Sequence, residues 1–209
     1  MKIIPALLTD DRDDLITKIR QCESFCDTAQ IDIMDGQFVP SKSITAKDFA
    51  DIKTNLFLEV HLMVSNPEDY FINFKNIGAK RIIFHYEATD KHELLLDKLK
   101  DINVETAIAL NPETPVEKVV DLLPKLDMLL LMAVVPGYYG SEFIPSVLDK
   151  AKKLSSLENK NFILALDGGV KLDNLKLIAS CGVDQANVGS AIFKAQDPGA
   201  SYQEFSATR

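Results

Sequence analysis

The 209 residues, 46% hydrophobic and 26% charged, have the make-up of an ordinary globular chain, which excludes wholesale disorder and a collagen-like fibre. A net charge of −8 excludes a non-specific nucleic-acid binder, since a phosphate backbone selects for an excess of Lys and Arg. No apolar run reaches the roughly 18 residues of a membrane span, and the apolar start gives way at once to Thr9-Asp-Asp-Arg-Asp-Asp, with no signal-peptide h-region, so no membrane partner and a cytoplasmic location are expected.

In chain order, short runs rich in Ile, Val and Leu alternate with longer amphipathic stretches. Strand 2–7 is followed by helix 13–26, and strand 29–34 by an irregular stretch with only a faint helical pattern at 46–53. Strand 57–64 leads to helix 67–77, strand 81–85 to helix 91–102, and strand 104–110 to helix 115–123. Strand 128–134 precedes helix 146–157, strand 162–166 precedes helix 172–180, and 185–188 is the last strand. Asn66-Pro67 and Thr114-Pro115 each place a polar N-cap before a proline at the first helical position, and Gly78 and Gly182 stand where helices end. The odd set Cys22, Cys26 and Cys181 reads as buried, reduced thiols, not as a disulfide framework.

Eight strand signals spaced about 25 residues apart and alternating with helices predict parallel βαβ units closing into a (β/α)8 TIM barrel; a doubly wound open sheet is the rival. No linker or low-complexity segment interrupts the chain, so residues 1–209 are expected to form one domain.

Barrel strands are buried on both faces, so their polar residues need a reason. In the second strand Gln30, Asp32 and Met34 share a face, and in the third Glu59, His61 and Met63 do so. His85 ends the fourth strand and Asp167-Gly168-Gly169 ends the seventh. Taken singly, a strand histidine is commonly a hydrogen-bonded core residue and a strand-end aspartate the cap of the next helix. Asp32, His61 and Asp167 at one rim point to chemistry instead. Strands two and seven lie about 135° apart round an eight-stranded ring, so Asp32 and Asp167 are expected to project from opposite sides of the mouth, base on one face and acid on the other. That arrangement inverts a stereocentre. Gly168-Gly169 after strand seven and Gly189-Ser190 opening a short helix after strand eight form a phosphate site of backbone amides.

These residues, together with Asp32-Ile-Met-Asp-Gly36, Phe38-Val-Pro40, Val60-His-Leu-Met-Val64, Phe84-His-Tyr-Glu87, Asn111-Pro-Glu-Thr-Pro115 and Pro136-Gly137, resemble the ribulose-phosphate 3-epimerase family over nearly the whole chain. The resemblance implies a barrel of the ribulose-phosphate-binding type that interconverts ribulose 5-phosphate and xylulose 5-phosphate, or a related ketose phosphate, with a divalent metal. It makes Asp32 and Asp167 the catalytic pair and metal ligands and His61 a further ligand. Met34, Met63 and Met132 become the apolar wall, though ordinary core methionines would look the same. Gly137, Gly140, Gly168, Gly169, Gly189 and Ser190 become the phosphosugar contacts, and a homo-oligomer is expected. Asp35 is assigned to fixing the loop after the second strand, outside the catalytic set.

The departures cluster at the same site. Gln30 stands where the family has a second ligand histidine; its amide oxygen can ligate a metal but is neutral and poor for zinc, which turns the expectation toward manganese or magnesium. Ala6 replaces a serine on the first strand, and Tyr139 replaces a glycine near the phosphate. These changes support an alternative, a non-catalytic or metal-depleted phosphosugar-binding relative. A decarboxylase of the same barrel group would need an Asp-x-Lys pattern on strand three, which is absent.

Overall fold

The computed structural model describes every residue except Tyr138, Tyr139 and Arg209. Strands β1 (Lys2–Leu7), β2 (Thr28–Met34), β3 (Phe57–Met63), β4 (Arg81–His85), β5 (Glu105–Leu110), β6 (Met128–Met132), β7 (Ile163–Asp167) and β8 (Gln185–Val188) pair in parallel in chain order, and β8 returns to β1 to close the barrel. Closure excludes the open-sheet rival. The strands lie within two residues of their expected bounds because most carry short β-branched and aliphatic runs flanked by polar residues.

The helices are α1 (Arg12–Phe25), α2 (Phe71–Asn76), α3 (His92–Asp101), α4 (Val147–Ser155), α5 (Leu172–Ser180), α6 (Ser190–Phe193) and α7 (Pro198–Thr208). Asp11 caps α1, its Oδ1 accepting from the Asp14 amide at 2.8 Å. Three expected helices are shorter or tighter than their patterns. Residues 46–53 yield only the 3-10 segment Ala46–Phe49, and the predicted helix 67–77 divides into the 3-10 turn Pro67–Asp69 and α2. Val116–Lys125 is 3-10 with Pro124 near its end, where the missing N–H weakens a regular helix. The expected caps fail there too. Asn66 makes no capping bond, and Pro115 rather than Thr114 is the N-cap, the Thr114 hydroxyl donating instead to Glu87. Helix α7 carried no clear amphipathic pattern, since Phe205 is its single buried residue; it docks through that ring and the Phe25–Tyr202 contact at 4.9 Å. All three cysteines are free, Cys22 and Cys181 buried as expected but Cys26 only half-buried.

Side chains alternate between two cores. Outward residues such as Ile31, Leu58, Val60, Ile82 and Leu129 pack under the helices. Inside the barrel, Ile83, Ala107, Ala109, Met128, Leu130, Met132 and Ala165 of β4 to β7 make an apolar filling. The opposite interior wall is polar: Gln30, Asp32, Glu59, His61, Gln185 and Asn187 are all buried.

Candidate active site and metal centre

Position along the strands brings the site together. Asp32 and His61 are register partners on β2 and β3, and Asp167 ends β7 beside Asn187 of β8. One ligand-capable atom from each of Asp32, His61 and Asp167 lies within 4.8 Å of the other two. His61 Nδ1 is 3.3 Å from Asp32 Oδ1 and 3.7 Å from Asp167 Oδ2. The two aspartates do rise from separated strands, but their carboxylates do not face each other across an open mouth. They converge on Gln30, whose Nε2 donates to Asp32 Oδ1 at 2.9 Å and to Asp167 Oδ2 at 2.6 Å.

Gln30 is therefore oriented differently from the fourth ligand it was expected to supply. Its oxygen, the only atom able to hold a metal, accepts from Asn187 Nδ2, and its nitrogen faces the carboxylates.

Burial sets the protonation states. Loss of water pushes the Asp32 carboxyl up to about 7 despite the bond from Gln30. Asp167 is likewise raised to about 7, by burial first and by the neighbouring Asp32 charge second. The same burial lowers His61 and His85 to about 4, so both imidazoles are neutral at pH 7.

The tautomers follow from a chain of contacts. Burial opposes ionisation of Glu87, but the neighbouring His85 ring and the bonds it receives from Thr114 and the Asn111 amide hold its carboxyl below the usual range. An ionised Glu87, with Oε2 3.4 Å from His85 Nδ1, places the His85 proton on that nitrogen. His85 Nε2 then accepts from His61 Nε2 at 2.9 Å, and His61 Nδ1 is left as a bare lone pair facing two carboxylate oxygens. Three acceptors converging on one point call for a cation. Two hard carboxylate oxygens and one neutral imidazole suit a divalent ion, so the residues present fit the metal that the family resemblance implies.

One cavity at the mouth is lined by Asp32, Met34, His61, Met63, Met132, Gly137, Gly140, Asp167, Gly168, Gly169, Gly189 and Ser190. Every predicted site residue thus reaches it except Gln30, which is fully buried and adjoins the cavity through Ala6, its register partner on β1, and Asn187, both of which line it. Tyr139 lies outside the described residues. Gly168 and Gly169 have φ of +100° and +65°, and a Cβ on Gly168 would stand 2.4 Å from Val134 Cγ2. Asp35 holds the loop after β2, its Oδ1 accepting from the Gln37 and Phe38 amides and its Oδ2 from Ser65 N. Sequence reasoning missed Asn187 and Gln185, although two polar residues spaced by two in a doubly buried strand were a readable signal. It placed His85 at the rim without giving it a role, and only the contact with His61 shows what that residue orients.

The fold and site define a closed (β/α)8 barrel with an acid–imidazole centre at the C-terminal mouth, the usual place for chemistry in this architecture. The ribulose-phosphate 3 epimerase family model matches residues 2–193, and the chain belongs to that family. It is 36% identical over 203 residues to the ribulose-phosphate 3-epimerase of Schizosaccharomyces pombe, covering 94% of this chain and 89% of that one. It is 33% identical to the Bacillus subtilis ribulose-phosphate 3-epimerase, covering 94% of each. Among solved structures, 3-keto-L-gulonate-6-phosphate decarboxylase from Vibrio cholerae superposes with a TM-score of 0.74 at 13% identity, over 99% of this chain and 96% of that one. 3-Hexulose-6-phosphate synthase from Salmonella typhimurium does so at 0.73 and 19%, over 100% and 98%. At these identities the two structures share the fold alone.

Proposed function

We propose that the protein is a sugar-phosphate 3-epimerase acting on ribulose 5-phosphate and xylulose 5-phosphate or on a closely related ketose phosphate. The observation that carries this reading is the convergence of Asp32 and Asp167 beside His61, with both carboxyls raised to about 7. A carboxyl titrating there can take a proton at pH 7 and give one back, so one aspartate removes the C3 proton and the other returns a proton to the opposite face of the planar enediolate. Exchange of either carboxylate for an amide would end that cycle.

Asp32, His61 and Asp167 would hold a divalent ion, and the ion supplies positive charge beside the oxygens on which negative charge develops. The two carboxylates favour manganese or magnesium over zinc. Met34, Met63 and Met132 form an apolar wall that keeps water from the reacting carbon, and Gly137, Gly140, Gly168, Gly169, Gly189 and Ser190 bind the phosphate end of the sugar. The whole chain works as one barrel domain and self-associates in the cytoplasm. The binding-only alternative is disfavoured because the acid–base pair and its orienting histidine are intact.

No helix of the described residues is long and apolar enough to cross a membrane. The deciding experiment is incorporation of solvent deuterium at C3 of ribulose 5-phosphate, compared with other ketose phosphates. Exchange is expected on the pentulose phosphate; phosphosugar binding without exchange would favour the non-catalytic reading.

A further inference from the structure

A hydrogen-bonded chain rises through the barrel from its N-terminal end to the site, and its direction can be read. Arg81, 5% exposed, bonds Glu59 on one side and Glu105 on the other. Glu59 receives Arg81 on Oε1 and Gln185 Nε2 on Oε2, the latter at 2.8 Å, so it acts as an acceptor at both oxygens. Gln185 must therefore turn its nitrogen inward, and the same nitrogen donates to Asn187 Oδ1 at 3.0 Å. That contact leaves Asn187 its NH2 group for Gln30 Oε1, and leaves Gln30 its own NH2 group for Asp32 and Asp167. Each amide has one acceptor and one donor end, so orienting the first orients all three.

We propose that the Gln185–Asn187 relay locks residue 30 as a double donor that ties Asp32 to Asp167, and that the metal centre consists of Asp32, His61 and Asp167 alone. This rests on the metal reading given above. Gln185 and Asn187 are positioning residues, acting through Gln30. The relay also governs substitutions at position 30. A histidine there would accept from Asn187 Nδ2 with one ring nitrogen and so turn its N–H, not a lone pair, toward the carboxylates. The family's ligand histidine therefore cannot be restored by Gln30→His alone; the donor beneath it must become an acceptor, as in Asn187→Asp.

Manganese affinity, measured by calorimetry on the metal-stripped full chain, tests the ligand set. Gln30→His keeps a donor on the carboxylates and adds no ligand, so it should change the dissociation constant by less than about tenfold, the step expected when an orienting partner or ligand is gained or lost. Gln30→His/Asn187→Asp should bind at least about tenfold tighter than Gln30→Leu/Asn187→Asp, which carries the same added charge without the ring. A tenfold tightening in Gln30→His, or equal affinities of the two double variants, would each overturn the proposal.

The unmodified protein supplies an independent readout. With 15N-labelled glutamine, the Gln30 NH2 protons should exchange with solvent at least about a hundredfold more slowly than those of the exposed Gln37 and Gln203, as expected of a buried, bonded group. Exchange as fast as Gln37 would refute the clamp. Failure of the unmodified chain to bind manganese would instead refute the metal centre, and slow Gln30 exchange in that case would still uphold the clamp.

Discussion

Each carboxyl at the mouth is buried and faces donors from one side, and this combination gives it an intermediate affinity for protons. Asp32→Asn and Asp167→Asn should each lower C3 deuterium exchange by about 10²–10⁴-fold, the range for losing a positioned acid or base, while the folded chain persists. A variant keeping most of the exchange would refute the two-carboxylate mechanism. The same residues predict a pH effect. Asp32 and Asp167 titrate near 7 in the folded chain against 3.8 ordinarily, so the folded state holds extra protons in that window and each carboxyl removes stability as pH rises. His61 and His85 titrate near 4 against 6.5, so the folded state holds fewer protons and each imidazole adds stability as pH rises. The two pairs oppose, so their combined contribution to stability should change little between pH 4 and 7 in the metal-free protein. Asp167→Asn removes one carboxyl from this balance, so its stability relative to the unmodified chain should climb with pH. Urea midpoints at pH 4.5 and 7 read the difference directly, and a relative stability that fell with pH would contradict the assignment.

Elements contribute by holding these groups at fixed heights on the barrel wall. The turn leaving β7 needs glycine because of its positive φ and because Val134 fills the place of a side chain at Gly168. Gly168→Ala must displace Val134 or shift the loop, and should weaken phosphosugar binding about tenfold or more, measured by calorimetry, alongside a fall in Tm. At the other end of the strands, Arg81 is clamped between Glu59 of β3 and Glu105 of β5. Glu59→Ala unmakes a buried charge-assisted bond but leaves Arg81 paired with Glu105, so it should cost about 1–3 kcal/mol of unfolding free energy. A loss below about 1 kcal/mol, the value of an exposed pair, would show that water reaches Arg81.

At the scale of the whole molecule, the barrel interior is divided into an apolar wall of β4 to β7 and a polar wall completed by β8, β2 and β3. Two chains of contacts use that polar wall. One descends from Glu87 through His85 to the lone pair of His61, and the other rises from Glu59 through Gln185 and Asn187 to the donors of Gln30. They meet at the two carboxylates, which the Gln30 donors hold from below and toward which His61 presents its lone pair. With the phosphate site formed by backbone amides at the mouth, ketose phosphates should bind and the corresponding free ketoses should not. Equal calorimetric affinity for both would remove the phosphate site from this reading.

Period and residue type alone determined the number and parallel sense of the strands, because burial on both faces favours short aliphatic runs and helices must cover the outside, while closure in chain order came from the tertiary structure. The same period-two arithmetic placed Asp32, Met34, His61 and Met63 on the interior, and glycines after β7 and β8 at the mouth. Local pattern was insufficient where competing contacts decide the backbone. Helix α7 is held by docking of Phe205 and Tyr202, not by its own amphipathicity, and the segment around Pro124 tightens into 3-10 geometry. Only the tertiary structure decided which end of the Gln30 amide faces the site. That choice passes through Asn187, Gln185 and Glu59, which come from two other strands, and a carboxamide offers a donor or an acceptor with equal ease until its neighbours are fixed.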